Sequence, residues 1–156
     1  MDTASATAVD LGCEYSLMAA DDGSSLLHVI RGWVSFEWKG IDSLVPAGAT
    51  CRTRPDSGPG IPYFDDAPEK LKQAADAFGL EKSGNSALNV ILSESRIRDT
   101  FTLWHLLARV DPSDRERVYD HMAALSPPPA GVIRELVLKL DTAALQRWRE
   151  DLAWKW

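Results

Sequence analysis

The sequence predicts an α+β protein: a small antiparallel or coiled β unit, then an all-helical array of about five to six helices. Three observations predict it. Before Pro55, residues favour strands, in short runs separated by close turns, and one of these runs alternates with period two. After Phe64 they recur at spacings of three and four, the period of a helix face. Between the halves lies "RPDSGPGIPYF", rich in proline and glycine, which reads as an ordered connector. The expected division is a β unit over 1–54, a connector over 55–63 and a helical region over 64–156 packed against the β unit.

In the β half, residues 9–18 form a mixed apolar and polar run, and Asp21, Asp22 and Gly23 make a turn. Residues 26–30 form the next run, punctuated by Gly32. "WVSFEW" then alternates with period two: Val34, Phe36 and Trp38 on one side, Trp33, Ser35 and Glu37 on the other. The first set suits a core and the second a wetter face. Lys39-Gly40 turns the chain, residues 41–45 form a short strand, Pro46 to Gly48 turn again, and residues 49–53 form the last strand.

In the helical half, Asp66 followed by Glu69 is a capping-box pattern, with Leu71, Ala74, Ala75 and Phe78 on one face and Gly79 as the stop. A second helix is expected over about 86–94, with Leu88, Ile91 and Leu92 inward. A third spans about 98–109, with Phe101, Trp104, Leu107 and Ala108 inward. Asp111-Pro112 opens a fourth through an N-cap acid and a proline whose missing N–H costs nothing. Val118, Met122 and Leu125 follow on its face. "SPPPAG" ends it and can open the next, where Val132, Ile133, Leu136, Val137 and Leu140 make a wide apolar stripe. Asp141 caps a last helix with Leu145, Trp148 and Leu152 inward. Short connections imply antiparallel neighbours.

The net charge of −6 disfavours contact with phosphate backbones, so no nucleic-acid role is expected. No run of about 18 apolar residues exists to cross a membrane. "MDTASATAVD" has neither the basic start nor the apolar core of a secretion signal. Cys13 and Cys51 are too few for a disulfide framework. They can pair with each other, or serve as small apolar side chains.

The order of turns carries a resemblance. Asp10-Leu11-Gly12, the Asp22-Gly23 turn, the Val29, Gly32 and Val34 strand pair, and the Leu44, Pro46, Ala47 and Gly48 turn follow one another as in the closing part of FecR-type domains. The stretch over about 9–54, roughly a third of the chain, resembles that domain. The resemblance implies a periplasmic or otherwise extracytoplasmic location, in a membrane-anchored bacterial regulator of sigma-factor signalling. It also implies a protein partner, an outer-membrane transporter or another signalling protein. The regulator's cytoplasmic part and membrane helix would lie upstream of this chain, which would be an excised end. The helical part lies outside the resemblance; without it, a cytoplasmic location is expected.

Catalytic patterns are sparse. There is no G-x-S-x-G, H-E-x-x-H or Gly-rich phosphate loop, and no cofactor is expected. His28 lies in a strand, and His105 and His121 lie on helices. Cys13, Cys51 and His28 share the β unit, but no metal site is assigned to them. Asp21-Asp22 and Asp65-Asp66 fall at turns and helix starts, where acids meet exposed N–H groups. Arg98, Arg109, Arg115 and Arg117, interleaved with Asp99, Asp111, Asp114 and Glu116, read as a solvated face of ion pairs. The sharper alternative for them is a cluster for phosphate or an acidic peptide. The expected function is therefore a non-enzymatic sensing or protein-interaction module, with Trp33, Trp154 and Trp156 as candidate partner contacts. The alternative is a small ligand-binding or hydrolytic enzyme with its site at the junction of the β unit and the helices.

Overall fold

The computed structural model describes residues 7–10, 12–38, 41–78 and 84–156, with backbone alone at 7–10, 36, 38, 41, 42, 84 and 85. Antiparallel strands come first and six α-helices follow among these residues, as the α+β expectation requires. One sheet has the order β1 (Thr7–Asp10), β4 (Trp33–Trp38), β5 (Ile41–Pro46). The other runs β2 (Glu14–Ala19), β3 (Ser25–Arg31), β6 (Ala49–Arg54), with the short β7 (Gly58–Pro59) and β8 (Tyr63–Phe64) both paired to β6. The run expected over 9–18 is thus two strands in different sheets. The turns at Lys39-Gly40 and Gly79 fall outside the described residues.

Period-two alternation selects the core. Leu27 and Val29 of β3, Val34 of β4, Val45 of β5, and Ala49 and Cys51 of β6 are all fully buried, and Phe64 and Phe101 join them in one cluster. Both sheets therefore share one apolar interior. Val34 faces inward as its pattern predicts; the side chains of Phe36 and Trp38, expected beside it, lie outside the described set. Ser25 and Thr53 face each other in register between β3 and β6, and their buried hydroxyls are hydrogen-bonded. The sheets meet at Gly32, whose φ of 81° suits only glycine among common residues. There the N–H groups of Ala47 and Gly48 donate to Gly32 O and Val29 O.

The segment expected as a connector extends the sheet. Pro59 sits opposite Thr53, and Tyr63 and Phe64 sit opposite Thr50 and Ala49. Gly60 N donates to Arg52 O at 2.7 Å, a closeness that leaves no space for a Cβ. Proline tolerates this edge because no further strand needs its N–H.

The helices are α1 (Glu69–Ala77), α2 (Gly84–Glu94), α3 (Thr100–Leu106), α4 (Arg115–Leu125), α5 (Arg134–Leu138) and α6 (Thr142–Leu152). The Asp66–Glu69 capping box does not form. Pro68 occupies the N-cap, with no side-chain cap bond. A proline disfavours helical backbone in the residue before it, so the helix cannot begin at Asp66. That carboxylate instead receives Arg96 and Arg98. Asp111 likewise makes no side-chain cap; it precedes a 3₁₀ turn over Pro112–Asp114 that leads into α4. Asp141 does cap α6, accepting from Ala144 N at 2.9 Å.

The stripe expected over 132–140 contracts to the five residues of α5. Val132 and Val137 are buried, but Ile133 is 53% exposed and Leu136 lies at the surface. Leu140, at φ 58°, ends this helix, and Asp141 N reaches back to Leu136 O.

A second apolar cluster fills the helical part around Leu71, Ile91, Leu103, Leu107, Val118, Met122, Trp148 and Leu152. Ile61 and Tyr63 of the linking segment belong to it, while Phe101 of α3 belongs to the sheet cluster. The two cores are stitched together by this exchange. The Phe64 and Phe101 rings pack at a tilt with centroids 4.8 Å apart, Arg98 lies over Phe64, and Thr102 Oγ1 donates to Pro62 O.

Candidate functional site

The three tryptophans singled out from the sequence have different settings. Trp156 folds back: its ring meets Phe101 edge-on at 5.2 Å, and its Nε1 donates to Thr100 Oγ1 at 3.1 Å. Trp33 is half-buried, 6.5 Å from Trp156 and tilted over it. These two form one aromatic seam between β4 and α3. Trp154 is 91% exposed, the large apolar side chain most available to another molecule among the described residues.

The outward face of the larger sheet holds a polar constellation that sequence reasoning missed. His28 on β3 stands opposite Thr50 on β6. Thr50 Oγ1 donates to Asp65 Oδ1 at 2.6 Å, and His28 Nδ1 lies 3.1 Å from Asp65 Oδ2. His28 Nδ1 is thus placed to donate to the carboxylate. A cleft of about 260 Å³ adjoins this group, lined by Thr50, Tyr63, Asp65, Glu69, Lys72 and Asp76 among others. Burial, then the neighbouring Asp76 carboxylate, pushes the Tyr63 hydroxyl pKa well up. That hydroxyl donates to Asp76 Oδ2 at 3.1 Å.

This geometry is not a nucleophile relay. A relay needs the hydroxyl at Nε2 and the acid at Nδ1. Here Thr50 and Asp65 meet the same imidazole nitrogen, and the hydroxyl proton is already held by the carboxylate. The group acts as a bracket joining β3, β6 and the turn before α1. Only the β3–β6 register reveals it; alternation alone puts His28 and Thr50 outward without making them neighbours.

The other histidines sit among the helices. His105 Nδ1 bonds to Phe101 O at 2.9 Å, and its buried Nε2 has no partner. Burial lowers its pKa to about 4, so the ring is neutral near pH 7. His121 is lowered too, also by burial.

The interleaved arginines and acids do not share one solvated face, and they do not form a cluster. Arg109 donates to Pro59 O at 2.7 Å and Arg115 to Leu107 O and Leu138 O, so both close backbone carbonyls between elements. Asp99 is fully buried and takes a two-pronged contact from Arg96. Their helical spacing looks alike whether the side chains turn outward or reach to a neighbouring segment.

Cys13 and Cys51 do not form a disulfide with each other. Cys51 lies wholly in the sheet core, where burial pushes its pKa up to about 12. Among the described residues no group of three histidine, cysteine, aspartate or glutamate side chains converges as a metal site. No described helix is long and apolar enough to cross a membrane. Comparison with protein-family models, with curated proteins and with solved structures finds no significant match.

Proposed function

We propose that the chain is a non-enzymatic sensing and protein-interaction module, the extracytoplasmic end of a FecR-like, membrane-anchored regulator of sigma-factor signalling. The observation that carries the interaction role is the edge of the larger sheet. Among the described residues β2 pairs with a strand on one side only, so its other edge is where a further strand could add. Met18 on β2 is 62% exposed and Ile30 on the adjoining strand 52% exposed, both on the outward face. An extended segment of a partner protein would add to β2 and rest apolar side chains on them. Supporting the FecR-like reading, Gly12, Gly23, Gly32 and Gly48 all have φ between 78° and 83°, at the turns the resemblance needs.

The test has two parts. A phosphatase reporter that folds only outside the cytoplasm, fused to the end of the natural gene product, should be active; activity of a cytoplasmic reporter alone overturns the location. Met18→Lys should then alter transcription from promoters of the cognate sigma factor while leaving the melting temperature nearly unchanged. A signalling output indifferent to charge on β2 would remove the edge from the mechanism.

A further inference from the structure

Arg52 and Arg54 stand two residues apart on β6, so they share the outward face of the sheet. Asp76 of α1 holds both. Arg52 Nε lies 3.7 Å from Asp76 Oδ1, an ion pair too long for a hydrogen bond, and Arg54 Nη2 donates to the Asp76 carbonyl at 3.1 Å. Each guanidinium thus turns one nitrogen to α1 and keeps further donors. They line a polar cleft of about 600 Å³ together with Asp22, Ser24, Asp56 and Ser57.

Asp22 attracts Arg52 only at longer range, and no ion pair within 4 Å joins Asp22 or Asp56 to either arginine. Asp22 Oδ1 already accepts from Ser24 N at 2.9 Å and Ser24 Oγ at 2.6 Å. That serine hydroxyl, more than any other group, holds its carboxyl below the usual range. Asp56 sits in the turn between β6 and β7 and makes no ion pair within 4 Å of either arginine. Both guanidinium groups are partly exposed, and such planar forks match the two oxygens of a carboxylate or the face of a phosphate.

We propose that this cleft binds a small oxyanion, a carboxylate or phosphate carried by a compact ligand, between Arg52 and Arg54. Two features keep the ligand small. The rim acids repel extended polyanions, and so does the chain's net charge of −6. Because Asp76 holds the same two side chains, an anion that draws them away loosens their hold on α1. Binding in the sheet is thereby felt by the helices. The inference does not depend on the compartment or on the β2 edge.

The test is a titration of the full chain with inorganic phosphate and, separately, with acetate, read from the backbone amide signals of Ser24, Arg52, Arg54 and Ser57. Saturable shifts centred on these residues are expected with at least one anion, and the anion that saturates tells phosphate from carboxylate. Replacing both arginines, Arg52→Gln with Arg54→Gln, should weaken binding by about tenfold or more. Asp56→Asn should strengthen it by removing a repelling charge, so the proposal stands even where the double variant fails to fold. Shifts that never saturate with either anion overturn it. So does undiminished binding in a folded double variant, or weaker binding in Asp56→Asn.

Discussion

The indole N–H of Trp156 donates to the hydroxyl of Thr100 at 3.1 Å, joining residues 56 positions apart. The same ring packs on Phe101 and lies beside Trp33, so it touches the margins of both apolar clusters. Trp156→Ala should cost about 2 kcal/mol, from lost apolar burial and the lost indole hydrogen bond, while the Thr100 hydroxyl keeps its bond to Ile97 O. Trp154→Ala, two residues earlier and in water, should stay within about 0.5 kcal/mol. Chemical denaturation of the two variants checks the contrast; equal losses would show that the seam does not join the two parts.

His105 makes stability depend on pH. Its pKa is near 4 in the fold against 6.5 for an ordinary histidine. Above pH 6.5 both states are neutral and nothing is lost. As the pH falls from 6.5 toward 4, the unfolded chain takes up a proton that the folded chain refuses, and stability declines. The full loss from this group is about 3 kcal/mol. Unfolding curves of the wild type and His105→Gln, compared across that window, should diverge in slope; parallel curves would place the pH dependence elsewhere.

Asp99 is a buried acid whose partner is partly exposed. Arg96 grips it through Nε at 2.7 Å and Nη2 at 3.1 Å, and Arg96 N donates to it at 2.9 Å. Asp99→Ala strands those donors and should destabilise by about 3 kcal/mol. Asp66→Ala, which removes the exposed partner of the same arginine, should cost less than about 1 kcal/mol. Thermal melts rank the pair.

Two glycines with nearly the same backbone should respond differently to alanine. At Gly32, φ 81°, a Cβ would lie 2.8 Å from Cys13 Cβ, whereas at Gly48, φ 82°, the nearest atom is the end of Arg98 at 3.7 Å. Gly48→Ala should cost about 1 kcal/mol from backbone strain alone. Gly32→Ala should cost at least about 1 kcal/mol more, because two packed backbone corners must separate. Equal melting temperatures for the two variants would refute the steric difference.

The strands could be read from short runs between turns, and the inward side of β4 from its period of two. Val34 falls inward as its alternation requires; Leu27, Val29 and Cys51 are buried with the same period, although the run over 26–30 is apolar on both faces and does not show it. The α6 cap and face were legible too, since Asp141, Trp148 and Leu152 obey local rules. What escaped depended on distant pairing. β7 and β8 are two residues each, too short for any period, and exist only through β6. Asp66 looked like a cap until Pro68 took that place, and its charge went to Arg96 and Arg98, 30 and 32 residues away. The bracket of His28, Thr50 and Asp65 and the cleft of Arg52 and Arg54 were illegible for the same reason. Each needs a cross-strand register, or a helix docked against the sheet, before its members meet.

β6 carries opposite chemistries on its two sides, with Ala49, Cys51 and Thr53 below and Thr50, Arg52 and Arg54 above. A slip by one residue would drive two guanidinium groups into the apolar interior and set a thiol in water. Four other strands align on this one, directly or through a neighbour. Its mistakes would therefore spread to the whole sheet, and the two arginines act as a safeguard on assembly whether or not an anion ever reaches them.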